Sequence, residues 1–165
     1  MKTSTKTLLA SAGVLLLTTV HHFYGAVLYD TPWRNHVSAV VQPVLIALVV
    51  AFEVHRRRPS TSLGRTSLFV FAVLTLVFPV GVIGFFEGGY NHLVKDLLFF
   101  GGAPAAALDR LFPESLYEMP DDFLFEASGV LQFFIGLYAA RWLVRLWRER
   151  PLPQRARARA ARQAA

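Results

Sequence analysis

The chain has 165 residues, of which 54% are hydrophobic and only 17% charged, with a mean hydropathy of +0.41. A soluble domain carries about 25% charged residues, so this composition excludes an ordinary soluble enzyme and points to membrane-embedded helices. There is no cysteine, which excludes disulfides, thiolate metal sites and thiol-relay redox chemistry.

Four apolar stretches, at residues 7–28, 37–54, 67–86 and 123–147, are long enough to cross about 30 Å of hydrocarbon at about 1.5 Å per residue, the second only barely. They predict an all-α integral membrane protein, four transmembrane helices in an up-down bundle within residues 1–150. The basic N-terminus followed by apolar residues 8–20 also resembles a signal peptide. A cut after Ala26 would put Tyr24 where a small residue belongs, so the stretch is read as a retained span.

Orientation follows from the basic residues. Lys2, Lys6, Arg56, Arg57, Arg58, Arg65, Arg141, Arg145, Arg148, Arg150, Arg155, Arg157, Arg159 and Arg162 fall on one side, 14 of the 17 in the chain. By the positive-inside rule both termini are expected in the cytoplasm, with 29–36 and 87–122 on the other side. Nine of the eleven acidic residues lie at or beyond that opposite boundary. The net charge of +6 is explained by orientation and contact with anionic lipid headgroups, so no nucleic-acid partner is inferred. The arginine- and alanine-rich tail 151–165 is expected to be disordered, and with the compact loops it suggests a bacterial inner membrane.

The short segment 29–36 makes the first two spans antiparallel neighbours, with Tyr29 and Trp33 as interfacial anchors and Asp30 within reach of Arg34. The long outer loop 87–122 is expected to hold structure of its own. Gly88 and Gly89 are read as ending the third span, Asn91 as capping a new short helix, and Gly101, Gly102 and Pro104 as closing it. That makes a short interfacial helix between spans three and four, with His92, Lys95, Asp96 and Phe99 near one face. A further helical piece is expected around 105–111, and Pro120 with Asp121 or Asp122 starts the last span.

Four of the five histidines, His21, His22, His36 and His92, lie toward the outer side, and His55 sits among the cytoplasmic arginines. His21 and His22 fall inside span one, Glu87 at the end of span three and Glu126 one turn into span four. Ionisable groups at such depth are costly unless partnered, which marks them as functional candidates. They suggest a metal site built from one or both of His21 and His22 with Glu87, His92 and Glu126, and with Asp96 orienting the His92 imidazole from one turn away. Adjacent helical residues diverge by about 100°, so His21 and His22 are not expected to point at one centre.

Imidazole and carboxylate ligands suit a divalent metal such as zinc, iron, copper or manganese. A b-type haem between His22 and His92 is a weaker option. The serines near this side, Ser38, Ser115 and Ser128, have no evident base, and phosphate-binding and dinucleotide motifs are absent. Gly129 and Gly136 of span four, and Gly81, Gly84 and Gly88 of span three, are read as close-packing surfaces.

Two functions remain open from sequence. One is a membrane protein using a periplasmic-side metal for oxidation, hydrolysis or metal handling. The other is a non-catalytic accessory subunit, binding lipid, a membrane protein partner or a second copy of itself, whose polar cluster is structural.

Overall fold

The computed structural model describes residues 1–114 and 116–149, so Ser115, Arg150 and the tail expected to be disordered lie outside the described residues. Helix α1 (Thr3–Leu28) is followed by a single 3₁₀ turn (Pro32–Asn35) and α2 (His36–Arg57). Helix α3 (Ser62–Phe100) is continuous for 39 residues, α4 is Ala105–Leu111, and α5 is Phe123–Arg148. No strand occurs among the described residues. Helices α1, α3 and α5, and α2 with its 3₁₀ turn, are long and apolar enough to cross a membrane.

Local sequence explains most boundaries. Thr61 caps α3, its Oγ1 accepting from the Gly64 N–H at 3.1 Å. Asp122 caps α5 by accepting from the Phe125 N–H at 2.8 Å, as the Pro-Asp-Asp start anticipates. At the end of α2, Glu53 accepts hydrogen bonds from both Arg56 and Arg57, the boundary ion pair their spacing suggests. Helix α3 ends at Gly101, and Gly102 takes the left-handed φ of 76° that turns the chain away.

The third span departs from expectation. Gly88 and Gly89 do not end it, residues 92–100 continue it instead of forming a helix of their own, and Asn91 caps nothing, while the separate helical piece expected around 105–111 is α4. The chain runs as α-helix over Ser62–Thr75, as π-helix over Leu76–Val94, and as α-helix again over Lys95–Phe100. Packing overrides the local preference of the glycines. A Cβ at Gly88 would overlap the backbone of Phe133 on α5, so the bare glycine lets the two helices touch and holds this stretch in register. Pro79, which donates no backbone hydrogen bond, sits near the start of the wide-turn segment. The loop begins after Phe100 rather than at Glu87.

Helices α1 and α5 run antiparallel. Thr3 Oγ1 donates to Glu149 Oε1 at one end, while Tyr24 and Tyr29 donate to Asp122 and Asp121 at the other. Helix α5 also packs along the π-helical stretch, where a Cβ at Gly136 would lie 2.6 Å from the Gly84 Cα. Gly84, Gly88, Gly129 and Gly136 therefore do form the close contact read from sequence, whereas Gly81 faces only its own helix. The surface is apolar and the interior is polar in places. Val20, Val27 and Ile46 are more than 60% exposed, while Thr7, Thr18, Thr75 and Gln132 are fully buried. That inversion suits a lipid environment, in which outward apolar side chains cost nothing.

Candidate metal centre

At the end of the molecule where α1 stops and α5 starts, three helices bring their ionisable groups together. His21 and His22 come from α1, Glu87 and His92 from the π-helical stretch, and Glu126 from α5. Glu87 Oε1 is the focus. It lies 3.9 Å from His21 Nε2, 3.5 Å from His22 Nε2 and 3.7 Å from His92 Nε2. Ligand atoms of His21, Glu87 and His92 all fall within 4.8 Å of one another. A tetrahedral ion with bonds of about 2.1 Å needs its ligands roughly 3.3 Å apart, so the widest separations would have to close by about 1 to 1.5 Å around an ion.

Both α1 histidines therefore face the same carboxylate, contrary to the expectation from their helical angle. The centre lies between their two directions, and each ring reaches far enough to bend toward it. The rings meet edge to face, with centroids 5.3 Å apart and planes at 87°. The site is packed from below by Phe125, which stacks on His21 at 4.3 Å.

The outer hydrogen bonds determine which imidazole nitrogens carry protons. Ser128 Oγ–H donates to the Phe125 carbonyl at 3.0 Å, so its oxygen is free to accept from His21 Nδ1–H at 2.9 Å. His92 Nδ1–H donates to Glu126 Oε2 at 2.6 Å. As a neutral imidazole, His21 then presents a bare Nε2 lone pair toward the Glu87 carboxylate, and that atom has no hydrogen-bond partner. A bare lone pair, a second imidazole and a carboxylate facing one another in a buried place can hold a cation between them. Glu87 is also positioned from outside, its Oε2 accepting from Asn91 Nδ2 at 2.8 Å.

The other predicted residues take different places. Glu126 spends one oxygen on His92 and the other on Lys95, whose ammonium donates to Glu126 Oε1 at 2.9 Å and to the Glu118 carbonyl at 2.6 Å. It thus does for His92 what Asp96 was expected to do. Asp96 turns instead into a cleft between α3 and α5, where it adjoins Glu126. Arg34 pairs with Glu118 at 3.2 Å rather than with Asp30. His36 and His55 lie elsewhere, bonded to the carbonyls of Trp33 and Gly64.

Sequence reasoning missed Lys95 and Ser128 as parts of the cluster. Lys95 was on the same helical face as His92, but a lysine near a membrane boundary reads first as a headgroup contact; here it is 2% exposed. Ser128 was set aside as lacking a base, although it lies two residues from Glu126. Outside the membrane-spanning segments, the Tyr29 phenol is held above its ordinary pKa by burial and by its hydrogen bond to Asp121.

No family model, curated protein or solved structure is significantly similar to the chain, so the geometry alone carries the functional reading.

Proposed function

We propose that the protein is an integral membrane metalloprotein, an up-down four-helix bundle whose periplasmic-side centre binds one divalent transition ion. The Nε2 atoms of His21, His22 and His92 and the Glu87 carboxylate are the ligands. Glu126, Ser128 and Asn91 hold those ligands in place from outside. The observation that carries the reading is the convergence of three imidazole nitrogens within 3.5 to 3.9 Å of Glu87 Oε1. The hydrogen bond to Ser128 leaves His21 Nε2 as a bare lone-pair donor, and Glu126 orients His92.

Three imidazoles with one carboxylate and no thiolate favour zinc or iron among the candidates, with copper next. A haem between His22 and His92 is disfavoured, because Glu87 and His21 occupy the space the porphyrin would need. A carboxylate can bind through one oxygen or two, which leaves room for a water or substrate oxygen at the ion. Such an ion acts as a Lewis acid or generates hydroxide, which suits hydrolysis or oxidation of a membrane-dissolved substrate. The lysine and arginine distribution favours a bacterial inner membrane with both termini cytoplasmic.

The test is elemental analysis of detergent-purified wild type beside His92→Ala and His21→Ala. Close to one metal per chain, lost in both variants, is the expected result. Metal-free protein that gains no thermal stability from added Zn²⁺, Fe²⁺ or Cu²⁺ overturns the reading. The accessory-subunit reading would then stand, favoured by Lys95, which ties Glu126 to the Glu118 carbonyl and so clamps the loop onto the helices without any ion.

A further inference from the structure

A cleft of about 650 Å³ runs between the last turns of α3 and the first half of α5, beside the histidine cluster. Its two ends differ in chemistry. Asp96, Asp121, Asp122 and Glu126 line one end, and Val130, Leu131 and Phe134 line the other. From Asp122 to Phe134 the α5 axis rises about 18 Å, close to the depth of one leaflet of hydrocarbon. Phe100, Phe123 and Phe134 on its walls are all more than half exposed, so the cleft opens sideways, toward where lipid would lie.

The acidic end selects a head group. Among the described residues no lysine, arginine or histidine lines the cleft, so phosphate and carboxylate heads are repelled. Three of the four acids are already engaged. Asp121 accepts from Tyr29 at 2.6 Å, Asp122 holds Tyr24 and the α5 cap, and Glu126 holds His92 and Lys95. Asp96 meets Glu126 through its carboxyl but leaves its Oδ1 buried and without a hydrogen-bond partner. An unmet buried acceptor costs stability until a donor reaches it.

We infer that this cleft is a lateral binding site for a single-chain amphiphile whose head donates a hydrogen bond and carries no negative charge. The chain lies along Val130, Leu131 and Phe134, and a hydroxyl or ammonium head is received by Asp96. Glu126 separates that head from His92 by one residue, so the cleft delivers the polar end of a membrane-dissolved molecule to the histidine cluster. This names the substrate class of the proposed centre and rests on that reading for its role, although occupancy of the cleft does not require the ion.

The full chain in lipid nanodiscs is irradiated with photoreactive long-chain alcohol, the matching amine and the matching fatty acid, and labelled peptides are mapped. Labelling by alcohol or amine should concentrate on residues 127–134, exceeding the fatty acid by about tenfold or more. Leu131→Trp, which fills the cleft from an exposed position, should remove most of that labelling while leaving metal content unchanged. Asp96→Leu should cut labelling by the alcohol and amine several-fold, while the fatty acid stays excluded by Asp121, Asp122 and Glu126. Equal labelling by all three probes, or label spread evenly over lipid-facing positions such as Ile46 and Val49, overturns the inference. Selective labelling of metal-free protein would uphold the cleft and sink only the metal reading; bound metal without selective labelling would do the reverse.

Discussion

Glu87 and His92 stand five residues apart on one helix, yet His92 Nε2 lies 3.7 Å from Glu87 Oε1. In an α-helix residues five apart point about 140° away from each other. In the π-helical stretch Leu76–Val94 the wider turn brings the fifth residue back to the same face as the first, because the hydrogen bonds run i to i+5. The wide turn is what allows one helix to supply both a carboxylate and an imidazole to the same centre. Glu87→Gln separates the two readings of this contact. If an ion is bound there, the variant loses the thermal stabilisation that added metal gives, while the metal-free protein becomes no less stable, since a buried anion facing the bare Nε2 of His21 has been removed. If the cluster is only a structural network around a protonated histidine, Glu87→Gln lowers the melting temperature with or without metal. Thermal unfolding of both forms across a metal titration decides the matter.

Gly129 is the tightest approach to the centre. A Cβ there would overlap the ring of His92, which is buried against the rings of His21 and Phe125. Gly129→Ala should therefore displace the imidazole, lower metal affinity by at least the 10- to 100-fold typical of losing an orienting partner, and reduce stability. Gly13→Ala is the control. Its Cβ would meet nothing closer than Ile135 Cγ2 at 3.9 Å, and alanine favours a helix over glycine by about 1 kcal/mol, so it should be neutral or stabilising. Chelator competition with the two purified variants measures the difference. Equal metal affinity in both would contradict this placement of His92.

How far the sequence carried can be traced through particular residues. Helices α1, α2 and α5 were legible from hydropathy because lipid-facing helices must be apolar over their whole length, and the Asp122 cap was visible in the residues themselves. The length of α3 was not. Gly88 and Gly89 look like breakers in isolation, and only the close backbone of Phe133 shows that they are contact points. The cluster His21, His22, Glu87, His92 and Glu126 was legible because each is an ionisable residue where a membrane disfavours one. The division of labour was not, because it depends on which atom of Glu126 meets which atom of His92. Helical angles also argued against His21 and His22 sharing a centre, and side-chain reach reversed that.

Tyr29, just past the end of α1, donates a 2.6 Å hydrogen bond to Asp121 and is the clearest pH-sensitive tie outside the spans. Burial and the neighbouring carboxylate raise its pKa, so the folded protein favours the neutral phenol. The stabilisation is present in full below the unfolded phenol value of about 10 and is lost as pH rises through the higher folded value. Wild type should therefore lose stability on the alkaline side more steeply than Tyr29→Phe, which has no proton to lose. Melting temperatures of both proteins between neutral pH and the alkaline limit of the detergent check this, and parallel curves would refute it.

Lys95 and Glu126 form a buried pair, 2% and 7% exposed, at 2.9 Å. Removing one member of such a pair leaves an uncompensated charge, at a cost of about 3–5 kcal/mol in a protein interior. Lys95→Met should be severely destabilising, and it should also release the Glu118 carbonyl and loosen the loop before α5. Combining it with Glu126→Gln removes the stranded charge, so the double variant should recover much of the lost stability. The amide oxygen that Glu126→Gln introduces still accepts from His92 Nδ1–H, whereas Glu126→Ala leaves that N–H without an acceptor. A double-mutant cycle by denaturant unfolding should therefore give a coupling well above the ~1 kcal/mol ceiling of an exposed ion pair. Additive losses would mean that Lys95 reaches solvent or headgroups and that Glu126 is held by His92 alone.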